Sequence, residues 1–163
     1  MPALPFTPEQ FEELIGLAVT WAEAQEQRIL QKGVPLTEGQ TADARAVGVQ
    51  HPERIRLLPV VAISRPANPI LREAAKTAQV INPFTRGLTL GYGIYLRADE
   101  SCDRFLVAHE LAHVGQYERM GGLRPFLRRY LQECLTIGYN DSPMEREAIE
   151  RAEALRESGW LAE

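Results

Sequence analysis

The feature that most constrains the fold is a stretch that is apolar on nearly all sides of a helix and yet contains two histidines. Residues 104–122 read RFLVAHELAHVGQYERMGG, and the glycine pair at the end favours a helix terminus there. A helix that is apolar all round belongs in a protein core. We therefore predict a buried helix over residues 101–120, with His109, Glu110 and His113 as polar groups in an apolar setting.

The spacing of these three residues indicates a metal site. Residues four positions apart lie on one face of a helix, so the imidazoles of His109 and His113 can reach a single Zn²⁺ at about 2.0–2.1 Å. Glu110 projects about 100° round the helix, too far to complete the same tetrahedron but suitably placed to touch a water bound to the metal. The spacing thus predicts two zinc ligands and one general base, with Zn²⁺ as the cofactor.

A catalytic zinc usually takes three protein ligands, so a third must come from elsewhere. The remaining histidine, His51, precedes a proline in a segment typical of the surface. Residues 138–152, GYNDSPMEREAIERA, supply four candidate carboxylates: Asp141, Glu145, Glu147 and Glu150. Glu145 has a competing interpretation, because Ser142 to Glu145 also forms a capping-box pattern in which Glu145 reaches back to the Ser142 N–H.

HELAH followed about thirty residues later by a Glu-x-Glu-Ala helix resembles the gluzincin branch of the zincin metallopeptidases, most closely the small, single-domain bacterial type. The resemblance covers about residues 84–152 and implies Glu145 as the third ligand. It also implies that the strand before the metal helix pairs with an extended peptide. Relatives with a Glu-x-x-Ala-Asp pattern use that Asp to hold a ligand histidine, but this chain has Ile149 there. The partner of the zinc histidines is therefore unassigned.

The segment GLTLGYGIYLR, residues 87–97, is the most strand-like part of the chain. Its alternation predicts one strand over 87–96 whose apolar face consists of Leu88, Leu90, Tyr92, Ile94 and Leu96. Gly91 and Gly93 fit a strand edge on which an extended ligand lies, which makes them the candidate substrate-binding residues. A bulge or a hairpin turn at Gly91–Gly93 explains them equally well.

Periodicity and turn residues predict the other elements. A capping box at Thr7 predicts a first helix over 7–32, and Pro59 indicates a bulge or an edge position in a strand at 54–63. Further helices are predicted at 69–79, 123–137 and 143–157, and 34–53 is predicted as a loop with a short helix at 41–46. The whole is an α+β, zincin-like domain over 1–163, with a catalytic core at 54–157. Its small mixed sheet has an active-site edge strand packed on the buried HExxH helix, and a glutamate helix follows near the C-terminus.

These residues predict a zinc-dependent metallopeptidase that hydrolyses peptide or protein substrates, with Glu110 activating the zinc-bound water. Tyr139, just ahead of the glutamate helix, is the candidate oxyanion donor, and Tyr117 and Tyr95 are alternatives. A second hypothesis makes the zinc structural, in a non-catalytic binding or assembly module with a vestigial site. In that case a protein side chain fills the fourth position, and the candidates are Cys102, Glu147 and Asp141.

Composition and sequence patterns argue against several other classes of protein. The formal net charge is −4, so nucleic acid is not expected as a main partner. The cluster Arg124, Arg128 and Arg129 has the spacing of a solvated helix face and is the sole support for a weaker third hypothesis, a nucleic-acid-associated protease. No apolar run approaches the ~18 residues of a membrane span, and the N-terminus lacks a signal-peptide pattern, so we expect a cytoplasmic protein without a membrane partner. Cys102 and Cys134 lack CxxC spacing and are expected to be reduced thiols.

Overall fold

Six α-helices and one four-stranded mixed sheet make up the part of the chain that the computed structural model describes, residues 3–160. The first two and last three residues of the expected 1–163 domain lie outside the described residues. The predicted α+β class is confirmed. The helices are α1 (Pro8–Lys32), α2 (Glu38–Ala46), α3 (Pro69–Thr77), α4 (Arg104–Met120), α5 (Leu123–Thr136) and α6 (Pro143–Glu157). The strands are β1 (Val34–Pro35), β2 (Arg56–Val60), β3 (Gly87–Leu90) and β4 (Gly93–Arg97).

Side-chain caps explain where the N-terminal helices begin. Thr7 and Gln10 form the predicted reciprocal capping box of α1. A second capping box, between Thr37 and Gln40, starts α2 at Glu38. The short helix predicted at 41–46 is present and ends at Ala46, but its predicted start is wrong by three residues because the second capping box was overlooked.

The sheet has the strand order β1-β2-β4-β3, in which β2 and β4 are parallel and the other pairs are antiparallel. Strand β1 pairs with β2 only at Leu57 and Arg56, so Pro59 faces β4 alone. Since proline lacks an N–H, it fits a position with a single neighbouring strand. The edge position predicted for Pro59 is confirmed.

Of the two alternatives for residues 87–96, the continuous strand is wrong and the hairpin turn at Gly91–Gly93 is confirmed. Gly91 has φ +67°, and the two-residue turn at 91–92 reverses the chain between β3 and β4. As a result the five apolar residues do not share one face. Leu88 and Leu90 belong to the same buried cluster as Tyr95, whereas Ile94 and Leu96 belong to a second cluster with α4 side chains.

The sheet is thus buried on both faces. Residues of α1, α3 and α5 form the cluster on one face. Residues of α2, α4 and α6 form the cluster on the other face. Strand β3 is the edge strand next to α4, so the predicted metal helix lies between the sheet and α6. None of the described helices is both long and apolar enough to cross a lipid bilayer.

Candidate metal centre

Helix α4 carries the two histidines and the glutamate of the HELAH motif. Asp103 caps its first turn by accepting a hydrogen bond from the backbone N–H of Leu106 at 3.0 Å, so the helix begins at residue 104, later than predicted. The rings of His109 and His113 lie on one side of the helix with their centroids 4.9 Å apart. The i, i+4 spacing therefore brings the two imidazoles together, as expected.

Helix α6 brings a carboxylate to the same point. Oε1 of Glu145 lies 3.0 Å from Nε2 of His109, and Oε2 lies 2.8 Å from Nε2 of His113. One donor atom from each of the three residues lies within 4.8 Å of the others. Ser142 caps α6 by accepting the N–H of Glu145, but the Glu145 carboxylate does not reach back to Ser142, so the capping box weighed as an alternative is only half formed.

Contacts within the group of His109, His113 and Glu145 shift the pKa values of His113 and Glu145. Burial lowers the pKa of His113, but hydrogen bonding and the negative charge of Glu145 outweigh it and raise this pKa to about 9. Burial raises the pKa of Glu145, but hydrogen bonds and the positive charges of His109 and His113 bring it well below the usual range. The carboxylate is therefore ionised although only 2% of the residue is exposed.

Two buried residues of α5 hold the carboxylate and the helix that carries it. The phenol of Tyr130 donates a hydrogen bond to Oε2 of Glu145 at 2.5 Å. Oε1 of Glu133 accepts from the hydroxyl of Ser142 at 2.8 Å and from the N–H of Met144 at 2.9 Å. The first turn of α6 is thus fixed both at its cap and at the side chain of Glu145.

Glu110 lies beside the group rather than in it, as the 100° rotation predicted. Its Oε1 accepts a hydrogen bond from the hydroxyl of Thr89 on β3 at 2.9 Å, while its Oε2 is 4.0 Å from Nε2 of His109. Gly87 leaves room for this side chain, because a Cβ at position 87 would lie 3.0 Å from Cγ and 3.2 Å from Oε2 of Glu110. The edge strand therefore orients the Glu110 carboxylate.

A cavity of about 350 Å³ opens onto the site. Its polar wall includes His109, Glu110, Glu145 and Tyr139. Burial and the negative charges of Glu145 and Glu110 raise the pKa of the Tyr139 phenol well above its usual value, so Tyr139 carries its proton. Apolar side chains line another part of the cavity: Val80, Phe84, Phe105, Leu106 and Ile149.

The other tyrosines and the two glycines lie elsewhere. Tyr117 packs edge to face against Tyr92, and the phenol of Tyr95 donates to Gln25 at 2.6 Å. A Cβ on Gly91 would lie 2.0 Å from Oε2 of Glu26, and one on Gly93 would lie 2.9 Å from Cβ of Ile29. Helix α1, rather than an extended ligand, thus approaches both glycines. The expected open strand edge at Gly91 and Gly93 is corrected to a covered hairpin turn, and neither residue lines the cavity.

The remaining candidate ligands are engaged elsewhere or exposed. Asp141 pairs with Arg146 at 3.2 Å, and Glu147 pairs with Arg119 at 2.6 Å. His51 contacts Glu53 at 3.2 Å, Glu150 is exposed, and Cys102 is an exposed free thiol. In the basic cluster of α5, Arg128 pairs with Glu12, and Arg129 pairs with Glu133 at 2.9 Å. Among these carboxylates, only Glu145 joins the two histidines.

Several side chains that hold the site were not predicted from the sequence: Thr89, Gln116, Tyr130 and Glu133. Gln116 follows His113 by three residues on the same helix, so the i, i+3 rule offered a signal for it. The other three come from separate elements, and their contacts depend on how those elements pack. Comparison of the chain with protein-family models, with curated proteins and with solved structures finds no match.

We expect Glu133→Ala to lower the free energy of unfolding by about 1–3 kcal/mol, because it leaves the buried N–H of Met144 without its acceptor. Urea denaturation of the metal-free protein measures this change. Glu157→Ala, at an exposed position of α6, is the control. Equal stabilities of the two variants would contradict the role of Glu133 in holding the start of α6.

Proposed function

We propose that this protein is a zinc-dependent metallopeptidase of zincin type, in the gluzincin branch. One observation carries the proposal: a carboxylate from a separate helix meets both Nε2 atoms of an i, i+4 histidine pair at 3.0 and 2.8 Å, beside an open cavity. The HELAH motif by itself predicted two of the three ligands. The position of Glu145 supports the third.

The chemistry of the donor set fits zinc. Two imidazoles and one carboxylate, with a fourth position left to water, are a frequent ligand set of catalytic zinc in proteins. A tetrahedral ion with bonds of about 2.0–2.1 Å holds its donors roughly 3.3 Å apart. The nitrogen–oxygen distances of 3.0 and 2.8 Å, each to a different oxygen of Glu145, are shorter than that spacing by a few tenths of an ångström. One donor atom from each of the three residues lies within 4.8 Å of the others, close enough for small side-chain movements to bring them around one ion.

The surroundings of the donors favour hydrolysis over a structural role. Cys102, Asp141 and Glu147, the candidates for a fourth protein ligand, are not part of the group. The cavity of about 350 Å³ reaches His109 and Glu145, and Gly87 of the edge strand lines it next to Glu110. An extended peptide or protein segment is the substrate class that fits a cleft beside a strand edge.

Zinc, when bound, lowers the pKa of a coordinated water and polarises the substrate carbonyl. Glu110 takes the proton of the attacking water and later gives it to the leaving amine. The hydroxyl of Thr89 orients Glu110 by holding its Oε1, so Oε2 is the oxygen left for the proton. The protonated phenol of Tyr139 lines the same cavity and can donate a hydrogen bond to the oxyanion.

We expect the purified protein to hold one zinc ion per chain and Glu145→Ala to lose it. Removing one of three ligands leaves two imidazoles, which bind zinc far more weakly. Elemental analysis after dialysis against a weak chelator measures the stoichiometry. Glu150→Ala, on an exposed position of the same helix, should keep its zinc. Equal zinc content in the two variants would exclude Glu145 as a ligand.

We expect Glu110→Gln to keep its zinc and to lose peptide hydrolysis by about 10²–10⁴-fold, the usual contribution of a general base. Cleavage of an unfolded protein substrate such as denatured casein, followed by mass spectrometry, measures the rate. Glu150→Gln is the matched control at an exposed position. Hydrolysis by Glu110→Gln at the wild-type rate would disprove the mechanism.

We expect zinc affinity to rise with pH between 6 and 8. The pKa of His113 is raised to about 9 in the metal-free protein, so zinc must displace a proton from this ring throughout that range. Release of one proton raises the association constant about tenfold per pH unit. Competition with a chromophoric chelator at several pH values, corrected for the chelator's own protonation, measures this slope. An affinity independent of pH would show that His113 does not bind the metal.

A further inference from the structure

Gln116 is a buried amide whose three hydrogen bonds connect His113 with helix α6. Only 2% of the residue is exposed. Its Oε1 lies 2.7 Å from Nδ1 of His113, while its Nε2 donates to the backbone oxygen of Met144 at 2.9 Å and to Oε1 of Glu147 at 3.1 Å. Met144 immediately precedes Glu145. The same amide therefore touches one histidine of the site and the turn that carries its carboxylate.

These partners leave the amide a single orientation. A backbone carbonyl and an ionised carboxylate can only accept hydrogen bonds, so the NH₂ group of Gln116 must face Met144 and Glu147. The same oxygen of Glu147 also accepts a hydrogen bond from Nη2 of Arg119 at 2.6 Å, and a guanidinium can only donate. The amide oxygen must then face His113. Because that oxygen is an acceptor, Nδ1 of His113 must carry a hydrogen.

A neutral imidazole has one N–H and one lone pair. In the metal-free protein Nε2 of His113 also carries a hydrogen, which it donates to the ionised carboxylate of Glu145 at 2.8 Å. When a cation displaces that hydrogen, the one held by Gln116 stays on Nδ1, and the lone pair lies on Nε2. The hydrogen bond to Gln116 also fixes the rotation of the ring, because Gln116 is held on its other side by two acceptors. An imidazole of this tautomer and orientation is prepared for a cation on the side of Glu145.

We propose that Gln116 is the positioning residue that fixes the tautomer and the orientation of His113 for the metal. The inference rests on the zinc site proposed above and deepens it. Ile149, four residues after Glu145 on α6, is apolar and cannot hold a ligand histidine by a hydrogen bond. Instead, the side-chain amide of Gln116, which is hydrogen-bonded to α6, holds His113. Because the amide is neutral, it adds no negative charge next to the ring.

The first test replaces Gln116 by methionine, which has nearly the same length but whose thioether is only a weak acceptor for the Nδ1–H. Loss of an outer partner of a ligand histidine typically weakens metal binding by about 10–100-fold. We expect that loss in the zinc dissociation constant of Gln116→Met, measured by chelator competition. Gln132→Met, the same change at an exposed position of α5, should bind zinc as the wild type does.

A second measurement reports the hydrogen bond directly and needs no metal. The chain has three histidines, so NMR of protein labelled with ¹⁵N-histidine can resolve each ring. In the metal-free wild type we expect an Nδ1–H proton of His113 that exchanges slowly with solvent. In Gln116→Met we expect this proton to exchange rapidly. A change limited to packing would leave it protected.

A rescue variant guards against misfolding of Gln116→Met. In Q116E/E147Q the carboxylate and the amide exchange places. The side chain at position 116 then still offers an oxygen to Nδ1 of His113, and the amide at position 147 donates to its other oxygen. The backbone oxygen of Met144 loses its donor, so we expect this variant to fold with lower stability than the wild type. We expect zinc affinity within about tenfold of the wild type and a protected Nδ1–H. The accompanying loss of the Arg119 pair is small, because both side chains are about 40% exposed.

The outcomes separate this inference from the proposed function. If wild type binds zinc and folded Gln116→Met binds it equally well, Gln116 does not position the ligand, and the zinc site stands. If Gln116→Met does not fold and Q116E/E147Q folds without a protected Nδ1–H, the inference also fails. If the wild type binds no stoichiometric zinc, the metallopeptidase proposal itself fails, and the positioning role fails with it. Weakened binding in Gln116→Met together with recovery in the rescue variant supports the inference.

Discussion

The contact of one buried carboxylate with two imidazoles holds helix α6 in its place on helix α4. Glu145 is 2% exposed, and an ionised group at such depth is tolerated only with close partners. His109 and His113 provide these partners from a neighbouring helix. Any shift of α6 along α4 would separate the charges and leave them buried and unpaired, which is far more costly than losing a surface ion pair. The relative position of the two helices is therefore fixed by electrostatics as well as by apolar packing.

Further polar contacts hold the same turn of α6 in place. Glu133 of α5 binds the cap residue and the N–H of Met144, and Gln116 of α4 binds the backbone oxygen of Met144. Two neighbouring helices thus hold the peptide units just before Glu145 from different directions. Such support is what a site needs in order to keep its donors within a few tenths of an ångström of a required geometry.

Local signals in the sequence predicted a large part of the fold. They failed at positions whose structure depends on how separate elements pack against each other. The start of α1 follows from its capping box, and the position of Pro59 follows from the missing N–H of proline. The hairpin at Gly91 could not be separated from a continuous strand, because apolar alternation continues across the turn. The positive φ of Gly91 and the approach of Glu26, which both require glycine there, are visible only in the structure. At the site, helical spacing grouped His109 with His113. Residue type alone left four candidate carboxylates in residues 138–152, and only the resemblance to gluzincins favoured Glu145. The packing of α6 on α4 brings Glu145, and not the other three, to the histidines.

The close approach of Gly87 to Glu110 means that one residue of the edge strand affects the proposed proton acceptor without touching the proposed metal ligands. A methyl group at position 87 would press on the side chain of Glu110 at 3.0–3.2 Å and displace it by a few tenths of an ångström, while His109, His113 and Glu145 would be untouched. Under the proposed mechanism such a protein would keep its ion while its proton acceptor would be slightly misplaced. One alanine in an edge strand would therefore impair proton transfer and leave the ligands of the ion as they are.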